Sequence, residues 1–128
     1  MTYDLELLAE LSKEVGFKQV ELLGDSVEIE ITTDAKLVFQ NFDSDDCLIG
    51  FKGTPWHIHD DITFEMSQGR FIIMPYIDLI TEIKRGVVLI CELRNKGDLK
   101  DRYLVHKDYV DEFKYMEPGD ELRIIQCS

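Results

Sequence analysis

Two periods of hydrophobicity divide this chain. Near its start, Leu5, Leu8, Leu11 and Val15, with Leu7, recur at helical spacing. Thr2 stands where a helix cap is needed and Gly16 where the helix has to end. From Val27 onward the period drops to two: Val27, Ile29 and Ile31 alternate with Glu28 and Glu30, as in a strand with one buried face. Leu37-Val38-Phe39 and Cys47-Leu48-Ile49-Gly50-Phe51 follow, after Thr33-Asp34 and Asp43-Ser44-Asp45-Asp46 respectively. Apolar runs divided by such turn residues predict an antiparallel meander.

Farther along, Phe71-Ile72-Ile73-Met74 reads as a short strand. Pro75 suits the first turn of a helix that carries Tyr76, Ile77, Ile80 and Ile83 and closes at Arg85-Gly86. Residues 87–93 and 103–105 flank Asn95-Lys96-Gly97-Asp98, a hairpin turn sequence. A short helix over residues 109–115, a turn at Pro118-Gly119-Asp120 and a strand over residues 122–125 complete the reading. Strands and helices do not alternate regularly, so the pattern predicts an α+β fold rather than a doubly wound one. We expect one domain over residues 1–128: a mainly antiparallel sheet with an N-terminal helix, a central helix and a short C-terminal helix. A chain of 128 residues, 45% hydrophobic, is long and apolar enough for one substantial core.

Charge narrows the choice of partner. The 26 acidic side chains outnumber the 14 basic ones and leave a net charge of −12, which repels phosphate backbones and anionic lipid. Nucleic acid and membrane surfaces are therefore not expected as partners, whereas a basic protein is a natural complement. The N-terminus has no basic segment followed by an apolar run, and no apolar stretch approaches the roughly 20 residues of a membrane helix, so the expected location is the cytoplasm. Cys47, Cys91 and Cys127 are odd in number and form no Cys-x-x-Cys pair, the usage of reduced thiols.

Candidate chemistry concentrates in Thr54-Pro55-Trp56-His57-Ile58-His59-Asp60-Asp61. Proline holds Thr54 extended, and if extension persists, His57, His59 and Asp61 share one face while Trp56, Ile58 and Ile62 share the other. Two imidazoles and a carboxylate projecting together suit one divalent transition metal ion, with His106, the only remaining histidine, as a fourth ligand. The plainer possibility is a polar loop anchored by Trp56 that holds no cofactor, in which Asp60 or Asp61 caps the next element. Trp56, His57, His59, Asp60 and Asp61 are then binding candidates without a metal. No Gly-rich phosphate loop or Gly-x-Ser-x-Gly elbow is present, and neither Ser67 nor Cys47 has a histidine at a telling spacing. The Asp43, Asp45 and Asp46 turn lacks the ligand spacing of an EF-hand.

Residues 54–71, with Thr54-Pro55-Trp56-His57-Ile58-His59 followed by Gly69-Arg70-Phe71, are similar to the first metal motif of the cupins. They depart from it in that Glu65 falls late and a helix is predicted where a cupin continues in strands. The metallo-β-lactamase pattern shares His57, His59 and Asp61 but has its last histidine where Ile62 stands. The JAMM isopeptidase pattern loses its proline to Asp60 and its aspartate to Arg70. Without a catalytic set, the expected function is that of a small non-catalytic protein-binding module, similar in size and charge to acidic toxin-neutralising immunity proteins. The alternative is a metal-dependent hydrolase or oxygenase centred on the histidine cluster, with Asp60 or Glu65 as the base.

Overall fold

Asp4, not Thr2, caps the first helix: its carboxylate accepts the Leu7 N–H at 3.1 Å. Thr2 lies two residues too early to reach that first-turn donor. Helix α1 runs Leu5–Glu14 and buries Leu8, Ala9 and Ser12. The Ser12 hydroxyl is satisfied by donating to the Leu8 carbonyl at 2.6 Å. Gly16, at φ +109°, takes the chain out of the helix as its position suggested.

The computed structural model describes residues 1–110 and 116–125. After α1 come β1 (Val20–Leu23), β2 (Ser26–Thr32), β3 (Ala35–Asn41), β4 (Cys47–Phe51) and β5 (His57–Ile58), an antiparallel sheet in chain order. The expected alternation is observed in burial: Val27, Ile29 and Ile31, then Ala35, Leu37 and Phe39, face inward and are essentially inaccessible. Glu28, Glu30, Lys36 and Gln40 take the opposite face. A second sheet pairs β6 (Ile62–Glu65) with β7 (Phe71–Met74) across a single 3₁₀ turn, Ser67–Gly69. Helix α2 (Tyr76–Lys84) packs on α1 and inserts Leu79, Ile80 and Ile83 into the core.

A third sheet, in the order β10-β8-β9, is built from β8 (Val88–Asn95), β9 (Asp98–His106) and β10 (Asp120–Ile125). The β8–β9 hairpin turns on Lys96 and Gly97, both at positive φ (52° and 85°), the geometry a two-residue type I′ turn demands. Within this sheet, Glu92 and Arg102 stand opposite each other, almost wholly buried, and bond at 3.1 Å. Arg94 adds a 2.6 Å bond to the other Glu92 oxygen. Burial alone would push the Glu92 carboxyl up, but the two guanidinium partners outweigh it and hold it below its ordinary range.

The fold is thus α+β with antiparallel sheets, as expected, while the short C-terminal helix is not shown. Tyr109, its expected first residue, instead forms an isolated antiparallel bridge with His106, and its N–H donates to the His106 carbonyl at 3.1 Å. Val110 is not helical either, and residues 111–115 of that prediction lie outside the described residues, as does Cys127. Cys47 and Cys91 are buried in β4 and β8, and neither is in a disulfide among the described residues. Among the described residues no helix is long and apolar enough to cross a membrane.

Candidate functional site

The histidine cluster lies down on β4 because Gly50 lets it. Gly50 pairs with His57, and a Cβ at position 50 would stand 3.0 Å from the Trp56 carbonyl oxygen and 3.3 Å from the His57 Cβ. Strand β5 then lasts only two residues, because Asp60 adopts φ +62° in the left-handed region. The turn is fixed from beneath: the Tyr3 hydroxyl donates to the Asp60 carbonyl at 2.6 Å and the Cys47 thiol to the Asp60 carboxylate at 3.3 Å. Burial pushes both the Tyr3 hydroxyl and the Cys47 thiol above their ordinary ranges, so both stay protonated as donors. A buried thiol held in that state is a structural group and not a nucleophile.

The left-handed Asp60 ends the period-two alternation, and the predicted ligands part company there. The His57 and His59 rings meet edge-on with centroids 5.3 Å apart. Nδ1 of His57 lies 3.0 Å from the Pro55 carbonyl, and Nδ1 of His59 lies 2.9 Å from the Cys47 carbonyl and 3.2 Å from the Asp46 carboxylate. Oxygen acceptors at Nδ1 put the proton on that nitrogen and leave each Nε2 with its lone pair. Asp61 turns away and accepts the Tyr76 N–H at 2.7 Å, where a carboxylate suits the positive start of α2. His106 sits buried on β9 against Phe64, and its Nδ1 accepts the Asp108 N–H at 3.1 Å. Two of the four proposed ligands are brought together, and no group of three or more His, Cys, Asp or Glu among the described residues is arranged to hold a metal ion.

Trp56 stands between the two histidine environments. Its backbone N–H donates to the Asp101 carboxylate at 3.0 Å, and its ring packs on Phe51 with centroids 6.2 Å apart. On one side it adjoins a shallow surface hollow that includes His57. On the other it lines a cavity of about 150 Å³ shared with Phe64, Glu65, Leu104, His106 and Tyr109. That cavity forms where β5, β6 and β9, the edge strands of three different sheets, converge.

A second feature draws no attention in the sequence beyond its apolar run. Strand β7 pairs only with β6, so its other backbone edge is unpaired among the described strands. Ile72 and Met74 stand opposite buried Phe64 and Ile62, whereas Phe71 and Ile73 stand opposite Glu65 and Thr63 on the outer face. Phe71 is 63% exposed and Ile73 71% exposed. The available signal was four consecutive apolar residues without alternation, in a strand too short to be buried on both faces.

Fold and site together define an acidic, mainly antiparallel α+β protein with a surface imidazole pair and an apolar strand edge. No family model matches the chain, and neither the curated proteins nor the solved structures contain a match to it.

Proposed function

We propose that this protein is a non-catalytic, cytoplasmic binding module of the immunity-protein type, and that its partner is a basic protein that adds an extended segment to the free edge of β7. The observation that carries this reading is the exposure of Phe71 and Ile73 on a strand whose outer edge has no neighbour among the described strands. Backbone donors and acceptors along such an edge take up a further strand, and the alternate side chains give specificity. Charge chooses the occupant. Two copies of a chain at net −12 repel each other, whereas a strand that alternates apolar and basic residues meets both the apolar face and the surrounding acidity. Glu65 opposite Phe71, and Asp78 in the first turn of α2, lie close in the chain to this edge.

The test uses a synthetic peptide of alternating valine and lysine, titrated into the whole chain by calorimetry. Binding is expected to weaken as salt is raised and to be lost in a Phe71→Thr/Ile73→Thr double variant, which keeps strand propensity and charge. Failure of the peptide to bind, or equal binding by the variant, overturns the proposal. A wild-type dimer that the same variant dissolves also overturns it, by showing a second copy on the edge.

The metal-dependent hydrolase or oxygenase is supported by one observation, the 5.3 Å imidazole pair with both Nε2 lone pairs available. A near-stoichiometric transition metal in protein purified without tag or chelator, lost in His57→Ala, is the result that favours it. An unchanged melting temperature with added Zn²⁺, Fe²⁺ or Ni²⁺ counts against it, since a ligand of the native state must stabilise that state.

A further inference from the structure

We infer that His57 and His59 are half of a zinc site, which a second copy of this chain completes with the same two residues. Both rings are anchored from behind. Nδ1 of His57 donates to the Pro55 carbonyl at 3.0 Å. Nδ1 of His59 donates to the Cys47 carbonyl at 2.9 Å and lies 3.2 Å from the Asp46 carboxylate. Metal-binding histidines are held in this way, by a carbonyl or carboxylate on the nitrogen that does not bind, which fixes the tautomer and makes the other nitrogen a better donor. Each Nε2 thus keeps its lone pair, and both residues are exposed. Their ring centroids stand 5.3 Å apart. Two imidazoles on one tetrahedral ion, with Zn–N bonds of about 2.1 Å, have centroids about 5 Å apart.

The chain itself stops at two donors. Asp61 is engaged at the start of α2, His106 lies on β9, and no third His, Cys, Asp or Glu among the described residues completes a ligand group with the pair. Closed zinc sites take four protein ligands, and a two-fold axis through the ion turns two donors into four without calling on any other residue. Imidazole nitrogen suits Zn²⁺, which accepts a tetrahedron of such ligands. The ion also answers charge: two copies at net −12 repel each other, and the cation sits where they meet. Pairing is therefore conditional on zinc and strengthens as salt screens the remaining repulsion, the opposite sign from the binding of a basic segment. This inference rests on neither reading above: the β7 edge takes no part in it, and a hydrolase or oxygenase needs an open coordination position that a closed site lacks.

The test is sedimentation of the whole, untagged chain, stripped of metal with a chelator and then titrated with Zn²⁺ alone. A metal-free monomer is expected to become a dimer that carries one zinc per two chains, and to return to monomer with EDTA. His57→Ala and His59→Ala should each abolish the zinc-dependent dimer. Asp46→Asn keeps both ligands and an acceptor for the Cys47 N–H but removes the charge behind His59, and should raise the zinc concentration needed by about tenfold. The Phe71→Thr/Ile73→Thr variant should dimerise with zinc as the wild type does, which separates this contact from the β7 edge. Zinc taken up one per chain by a monomer overturns the shared site and returns the pair to open-site chemistry. Absence of zinc uptake, a dimer that forms without metal, or a zinc dimer that survives the loss of both histidines also overturns it. If an alanine variant does not fold, His57→Gln and His59→Gln, polar and without an imidazole, give the same comparison.

Discussion

The five-stranded sheet and the β6–β7 ribbon are both antiparallel and both apolar, yet they treat solvent in opposite ways. In β2 and β3 every second residue is buried and the residues between are polar or partly covered, so the sheet has one dry and one wet face. In β7 all four residues are apolar, yet three are exposed, Phe71 and Ile73 most of all and Ile72 at 39% even though it stands opposite buried Phe64. Alternation marks a surface that is complete in itself. Its absence in a strand with one neighbour marks a surface that is not.

The strongest test of that contrast is to remove a ring from each sheet. Phe39 is fully buried and packs edge-on against Tyr3 with centroids 5.6 Å apart. Phe39→Ala is expected to cost about 3 to 5 kcal/mol in urea denaturation, the range for large aromatic truncations in cores. Phe71→Ala should move the midpoint by less than about 0.5 kcal/mol, as for surface changes generally. Comparable losses from the two would show that Phe71 is covered in the folded chain and would remove the distinction.

A second contrast lies in the ion pairs. Glu92 and Arg102 are buried in the third sheet, whereas Lys52 reaches Glu28 at 3.1 Å across the wet face of the first with 60% of its side chain exposed. Arg102→Ala removes the more deeply buried of the two guanidinium partners of the Glu92 carboxylate and leaves it to Arg94 alone, which is expected to cost about 3 kcal/mol. Lys52→Ala should cost about 0 to 1 kcal/mol. Thermal melts of the two variants at equal ionic strength check the ordering.

What the sequence disclosed follows the same line. Much of the local and periodic structure was legible: the α1 stripe, the end at Gly16, the alternation through β2 and β3, and the Lys96-Gly97 turn, though not the cap of α1, which falls on Asp4 and not Thr2. Strand β1 was missed because Val20-Glu21-Leu22-Leu23 has no period of two, and its identity comes from pairing with β2. The histidine site was legible as a cluster but not as an arrangement. Its outcome depends on the left-handed Asp60, which is held by Tyr3 and Cys47 from distant parts of the chain. The placement of His106 beside Trp56 requires three sheets to converge, and no local pattern encodes that.

A smaller effect appears with acid at Asp120, where β10 begins beside Asn95 of β8. The Asp120 side chain accepts from Asn95 at 2.8 Å, from the Glu117 N–H at 2.8 Å and from Lys100 at 2.9 Å. These bonds hold its carboxyl down at about 2, below its ordinary 3.8. A carboxyl lowered on folding contributes stability that is complete above the ordinary value and is lost as pH falls toward the folded one. The melting temperature should therefore decline between about pH 4 and pH 2 more steeply in the wild type than in Asp120→Asn. Equal slopes would show that other carboxyls govern acid unfolding.

The smallest expected change in stability is the most informative about function. Ile73 is 71% exposed and stands opposite Thr63 on the outer face of the ribbon, so Ile73→Thr matches its neighbour in character and keeps a β-branched side chain. The unfolding midpoint is expected to stay within about 0.5 kcal/mol of the wild type. Affinity for the valine–lysine peptide should nevertheless fall at least fivefold, because an exposed isoleucine that does nothing for the isolated fold can be worth about 1 kcal/mol or more once a partner covers it. A variant that loses stability but keeps its affinity would place Ile73 in the core of the fold and return β7 to the class of surfaces that are complete without a partner.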